Sequence, residues 1–157
     1  MKKYLFIYGS LKRGFSLSFL LKGAEFVSEG YIKGPYKLFF HEGGYPCLIS
    51  GGFKKSQIKG EIFLIKSQTM MQEIDRVEGH PFEYKREKVP LYSYGLANNI
   101  ALIGETYIYQ SHEDLKLNHY IPSGRFLESE IPQDIRYKKK SSECSNGRKF
   151  LTETDID

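Results

Sequence analysis

Turn-forming residues cut this chain into short apolar runs, and that spacing limits the fold more than any other feature. Gly9 and Gly14, Gly34-Pro35, Gly43-Gly44, Gly51-Gly52 and Gly79 with Pro81 each interrupt the chain, because glycine admits left-handed backbone and proline fixes φ and lacks a donor. Between these breaks lie runs at 4–8, 26–32, 36–40, 47–49 and 57–65, all read as strands; residues 4–8 have the unbroken apolar character of a strand buried on both faces. Further strands are expected at 83–92 and 100–109, around a loop with Gly95, Asn98 and Asn99. Residues 15–21 read as a short helix or turn, and 113–135 as a short helix plus an ordered strap. Only 67–78 carries strong helical spacing. There Met70, Met71, Ile74, Val77 and Glu78 share one face. Ser67 can cap the N-terminus, Gly79 ends the helix and Pro81 prevents its return. The abundance of Tyr (12) and Phe (11) also favours sheet. The expectation is an α+β fold, a small mixed β-barrel-like sheet with a few flanking helices.

The 157 residues suit one domain large enough to bury a core without metals or disulfides. Composition changes near residue 136, where a Lys138–Lys140 run and a Ser/Asn/Gly stretch offer little apolar surface to offset ordering entropy. The chain is therefore divided into a domain over 1–135 and a polar, flexible tail over 136–157. The net charge of +4 is mild for a nucleic-acid binder, so no nucleic-acid partner is expected. The run after Lys2-Lys3 is too short for a signal peptide and no stretch is long enough to span a membrane. Cys47 and Cys144 fit no metal or redox spacing and read as reduced thiols, which points to a cytoplasmic protein.

Two motifs carry chemistry. The first, Tyr8-Gly9-Ser10-Leu11-Lys12-Arg13-Gly14, leaves the first strand directly. Its glycine spacing approaches that of a phosphate loop, but Phe15 occupies the position of the required lysine, which excludes nucleotide hydrolysis. Two readings of it remain: a turn whose backbone N–H groups face an anion, or a plain glycine turn with two solvated basic residues. The second is Val77-Glu78-Gly79-His80-Pro81. Helical phase turns Glu78 inward, and it stands at the negative end of the helix dipole. Burial and dipole both push a carboxylate pKa upward, which suits a general base working near neutral pH. The alternative is a last-turn glutamate bent out to water. Glu61 reads as a solvent-facing strand residue. His41, His80, His112 and His119 read as surface or loop residues and match no metal spacing. Tyr107 and Tyr109 read as core or interface aromatics, whereas Tyr84 begins a strand that can run back past the helix end.

These pieces occur in a specific order: Tyr8-Gly9-Ser10-Leu11-Lys12-Arg13-Gly14, Tyr45-Pro46-Cys47-Leu48, Lys59-Gly60-Glu61-Ile62-Phe63, Ile74-Asp75-Arg76-Val77-Glu78-Gly79, Tyr84-Lys85-Arg86 and Tyr107-Ile108-Tyr109. In that order they resemble the gamma-glutamylcyclotransferase-like superfamily over residues 3–130, and look closest to its gamma-glutamylamine cyclotransferase branch. The resemblance implies a small mixed sheet curled into a barrel, helices outside it, and a cavity at one end. It assigns Glu78 as the acid/base residue. It assigns Tyr8, Gly9, Ser10 and Leu11 to the substrate loop and Tyr84 to the pocket's surroundings. Where the family often carries Gly-Asp-Trp, this chain has Gly124-Arg125-Phe126, a change bearing on substrate preference.

The implied activity is conversion of a gamma-glutamyl amine, or related gamma-glutamyl compound, to 5-oxoproline and free amine. The partner is thus a small-molecule substrate, and no metal or cofactor has a task in the scheme. Two other classes stand beside it: a non-catalytic module binding a small carboxylate on the same fold, and an interaction protein using its C-terminal tail. The identity of the leaving amine and the oligomeric state are not encoded in any motif of the chain.

Overall fold

The computed structural model describes residues 1–52, 54–95 and 101–135. The strands are β1 (Lys3–Ile7), β2 (Glu25–Lys33), β3 (Tyr36–Phe40), β4 (Pro46–Ser50), β5 (Gln57–Ile65), β6 (Tyr84–Ser93) and β7 (Ala101–Tyr109), with helix α1 (Gln68–Glu78) between β5 and β6. A short 3-10 helix at Ser18–Leu21 occupies the segment read as a helix or turn. The expected tail and the positions of Asn98, Asn99 and Ile100 lie outside the described residues.

Five strands close into a barrel in the order β1-β5-β2-β6-β7. Closure leaves no open sheet edge in that barrel. Its neighbours pair antiparallel, except that β1 meets β7 in parallel at Leu5 and Glu105. Strands β3 and β4 form a separate antiparallel hairpin. The α+β barrel expectation holds.

Strand alternation sends two sets of side chains to two cores. One includes Phe6, Tyr8, Ile32, Ile58, Ile62, Leu91 and Ile108, joined by Leu38 and Leu48 of the hairpin and by Ile121, Phe126, Ile131 and Ile135. The other places Leu5, Ile7, Phe63, Ile65 and Tyr107 with Met71, Ile74 and Val77 of α1. Full burial of such a side chain contributes roughly 1.5–3 kcal/mol. The segment read as a strap is stitched to the body by backbone bonds, Ile121 N–H to the Leu38 carbonyl and Lys59 N–H to the Gly124 carbonyl, both 2.8 Å.

Helix α1 begins and ends where its sequence dictates. The Ser67 side chain accepts the Met70 N–H, supplying one first-turn donor with a partner. Gly79 takes the left-handed conformation at φ +68° and donates back to the Arg76 and Asp75 carbonyls. Glu78 is thus the last helical residue, and its side chain is buried.

Two expectations are corrected. Glu61 is 7% exposed rather than facing solvent: the loop after β1 folds over β5, and Glu61 accepts bonds from Arg13 N–H at 2.7 Å and Arg13 Nε at 3.0 Å. His119 is no surface residue either. It is 2% exposed, with Nε2 3.1 Å from Asp134, because the chain after residue 130 returns across it.

Candidate active site

At one end of the barrel the chain leaves β1 beside the C-terminal end of α1. A pocket of about 300 Å³, its open mouth included, is lined there by Phe6, Ile7, Tyr8, Gly9, Ser10, Leu11, Pro46, Glu78 and Tyr107. The structure therefore brings together five residues singled out from sequence: Tyr8, Gly9, Ser10, Leu11 and Glu78. These come from positions about 70 residues apart and meet because β1 and the helix end converge on the same rim.

The loop has the geometry of a turn. Lys12 N–H donates to the Gly9 carbonyl at 3.0 Å, and Leu17 N–H donates to the Ser10 carbonyl at 2.8 Å. In such a turn the N–H groups of the two central residues, Ser10 and Leu11, take no part in the closing bond. Gly9 is required here: a Cβ at that position would lie 2.4 Å from Cγ of Pro46, which packs against it in the pocket lining. The Tyr8 hydroxyl donates to the Tyr107 carbonyl at 2.6 Å, tying the loop's root to β7.

The reading of Lys12 as a solvated residue gives way to a buried anchor, whereas Arg13 is exposed as expected. Lys12 is buried, and its Nζ donates to the Phe126 carbonyl at 2.8 Å and stands 4.4 Å from the Phe15 ring centroid. Burial, and then repulsion from Arg125, pushes its ammonium pKa down to about 8. Arg13 is held by Glu61 and lies over Phe26. Both cations thus fasten the back of the loop.

Tyr84 stands one layer behind the lining. Its hydroxyl donates to the Pro46 carbonyl at 2.6 Å and lies 3.4 Å from Cys47 Sγ. It supports Pro46, which forms the wall. Tyr107, which the strand pattern marks only as an aromatic core residue, is in the lining itself. Its hydroxyl donates to Asp75 at 2.6 Å. Arg86 donates to both Asp75 oxygens at 2.9 Å and to Glu105 at 2.7 Å, and Lys3 pairs with Glu105 at 2.7 Å. Burial, with the bond to and the charge of Asp75 and the charge of Glu78, holds the Tyr107 phenol far above its ordinary pKa. It stays protonated throughout the neutral range. The sequence signal for Tyr107 was slight, since nothing local links it to Asp75, 32 residues earlier.

Among the described residues no group of three or more His, Cys, Asp or Glu is arranged to hold a metal. No helix among them is long and apolar enough to cross a membrane.

One end of a small closed mixed barrel thus holds a pocket lined by both a glycine turn and a buried glutamate at a helix end. The family described as "Gamma-glutamyl cyclotransferase, AIG2-like" matches residues 5–128, and the chain belongs to it. Two relatives bear the name "Putative gamma-glutamylcyclotransferase". The one from Methanocaldococcus jannaschii is 34% identical over 90 residues, covering 57% of this chain and 72% of the relative. The one from Vibrio cholerae is 28% identical over 124 residues, covering 79% and 95%. Among solved structures, an AIG2-like protein of Mus musculus superposes with a TM-score of 0.70 at 21% identity, covering 83% of this chain and 91% of that one. At that identity the likeness speaks for the fold.

Proposed function

We propose that the protein is a cyclotransferase that converts a gamma-glutamyl amine, or a related gamma-glutamyl compound, to 5-oxoproline and the free amine. The observation that carries this reading is the meeting of Glu78 with the Tyr8–Leu11 loop around one pocket. Family membership supports it, as do the names borne by the two relatives.

The chemistry needs few parts. A gamma-glutamyl compound contains its own nucleophile, the α-amine, and its own electrophile, the side-chain carbonyl. At neutral pH the amine is an ammonium and inert. Glu78 takes one proton from it. The freed nitrogen attacks the carbonyl carbon, closing a five-membered ring. Glu78 then returns the proton to the leaving nitrogen and the carbon–nitrogen bond breaks; the ring nitrogen's surplus proton passes through the same carboxylate to the amine, so a neutral lactam and an ammonium separate. One carboxyl group can perform all of these transfers. Because attack is intramolecular, the pocket has chiefly to hold the substrate folded so that amine and carbonyl approach. The N–H groups of the Gly9–Lys12 turn are suited to the substrate's α-carboxylate or to the developing oxyanion. Phe6, Ile7 and Leu11 keep the site largely apolar, which strengthens each of these polar interactions.

The test is incubation with a panel of gamma-glutamyl amines, amino acids and peptides, reading 5-oxoproline by mass. Release from at least one member is expected. Absence of release across the panel, with a carboxylate ligand still bound, would leave a binding module in place of an enzyme.

A further inference from the structure

We propose that the Tyr107 phenol oxygen accepts a hydrogen bond from the α-amino group of the gamma-glutamyl substrate, and that Asp75 is the positioning residue that keeps the phenol's proton turned away from the pocket. This rests on the gamma-glutamyl reading of the site and adds a residue and a polarity to it.

The argument begins with donors and acceptors. A carboxylate only accepts, so the 2.6 Å contact between Tyr107 and Asp75 has the phenol as donor. Its one proton is thereby committed. What remains on the oxygen is lone-pair capacity, of which the Arg86 guanidinium takes one share, leaving room for one further donor; Tyr107 lines the same pocket as Glu78. Asp75 lies one turn before Glu78 on α1, so both carboxylates project from the same side of the helix. They nevertheless face different duties. Asp75 is saturated by the Arg86 guanidinium and the phenol, in a chain that continues through Glu105 to Lys3.

This arrangement suits an ammonium and then an amine. The substrate nitrogen begins with three N–H groups. One goes to Glu78 and leaves with its proton. Another, held on Tyr107, stays in place during that transfer and turns the new lone pair toward the carbonyl carbon. A phenol free to rotate would instead present its hydrogen to the ammonium. The Asp75 contact removes that alternative.

The inference predicts a preference that can be measured without turnover. In full-length Glu78→Gln protein, affinity is measured by calorimetry for two probes: gamma-glutamyl methylamide, and the same compound with hydrogen in place of the α-amino group. Adding Tyr107→Phe preserves the ring and removes the oxygen. The preference for the amine-bearing probe should fall roughly tenfold or more, the scale of a hydrogen bond to a charged group. Affinity for the des-amino probe should hold, which also shows that the variant is folded.

Asp75→Asn gives a second arm. With Arg86 donating to the amide oxygen, the amide NH₂ faces Tyr107 and reverses the phenol's polarity, so the same preference should fall. The effect should vanish when Tyr107→Phe is already present. An unchanged preference in Tyr107→Phe, with both probes bound, overturns this inference alone. Binding of neither probe by Glu78→Gln overturns it together with the gamma-glutamyl reading.

Discussion

Lys12 shows how a single residue in this loop can serve anchoring rather than chemistry. Its ammonium is buried against Phe15 and the Phe126 carbonyl and titrates near 8 instead of 10.5. Below pH 8 the folded state bears the whole cost of that buried charge. Between about 8 and 10.5 it sheds a proton that the unfolded chain still binds, so this residue's contribution to stability rises with pH across that window. Lys12→Met removes the titration. Urea midpoints of wild type and variant, followed from pH 7 to 10.5, should show the wild type gaining on the variant as pH rises. A constant difference would mean that Lys12 does not titrate in the fold. At this scale the sequence was partly readable. The inward turn of Glu78 followed from helical phase, because phase is local. The burial of Glu61 and His119 did not, since each is covered by chain that arrives from elsewhere: the Arg13 loop over one, residues after 130 over the other. Tyr107 was hidden for the same reason, its partner Asp75 being on another element.

Among the elements, α1 has the most direct bearing on the site, because its last residue is the proposed base. Gly79 ends it with φ at +68°, and a Cβ there would stand 3.0 Å from Glu83 Cβ. Gly79→Ala should therefore cost about 1–2 kcal/mol, the usual penalty for a side chain in left-handed backbone. It should also lower turnover by disturbing Glu78. Ser67→Ala should cost a similar amount, about 1 kcal/mol, by removing the cap on the Met70 N–H. Turnover should then be unaffected, because the change is at the far end of the helix. Denaturation midpoints and initial rates of the two variants separate these outcomes. Equal losses of activity would show that the helix end has no special role. The ends of α1 and the runs β3 and β5 were legible because caps, turns and alternation are written within a few residues. The order β1-β5-β2-β6-β7 was not, because strand pairing is settled by contacts far apart in sequence.

For the whole molecule, the described body reaches Ile135. Ile131 and Ile135 are buried in the same cluster as Phe126 and the barrel interior, at 8% and 1% exposure. A chain ending at residue 135 should keep its melting temperature and its turnover, in line with our reading of 136–157 as a separate polar tail. A chain ending at 130 loses both isoleucines and should be destabilised by about 4 kcal/mol or more, at about 2–5 kcal/mol for each large apolar side chain removed. Thermal melts of the two truncations test the boundary. A large drop for the longer one would mean that the tail docks on the body.

The account's central claim is that Glu78 moves the proton. Glu78→Gln is nearly isosteric, so packing against the pocket should survive, but an amide cannot take a proton from an ammonium. The decisive measurement is paired: 5-oxoproline release from the most active gamma-glutamyl compound, and 5-oxoproline affinity, for wild type and Glu78→Gln. Turnover should fall by about 10²–10⁴-fold, the usual worth of a general base. Product affinity should change little, since the Tyr8–Leu11 loop is untouched. A variant that turns over at the wild-type rate would contradict the claim.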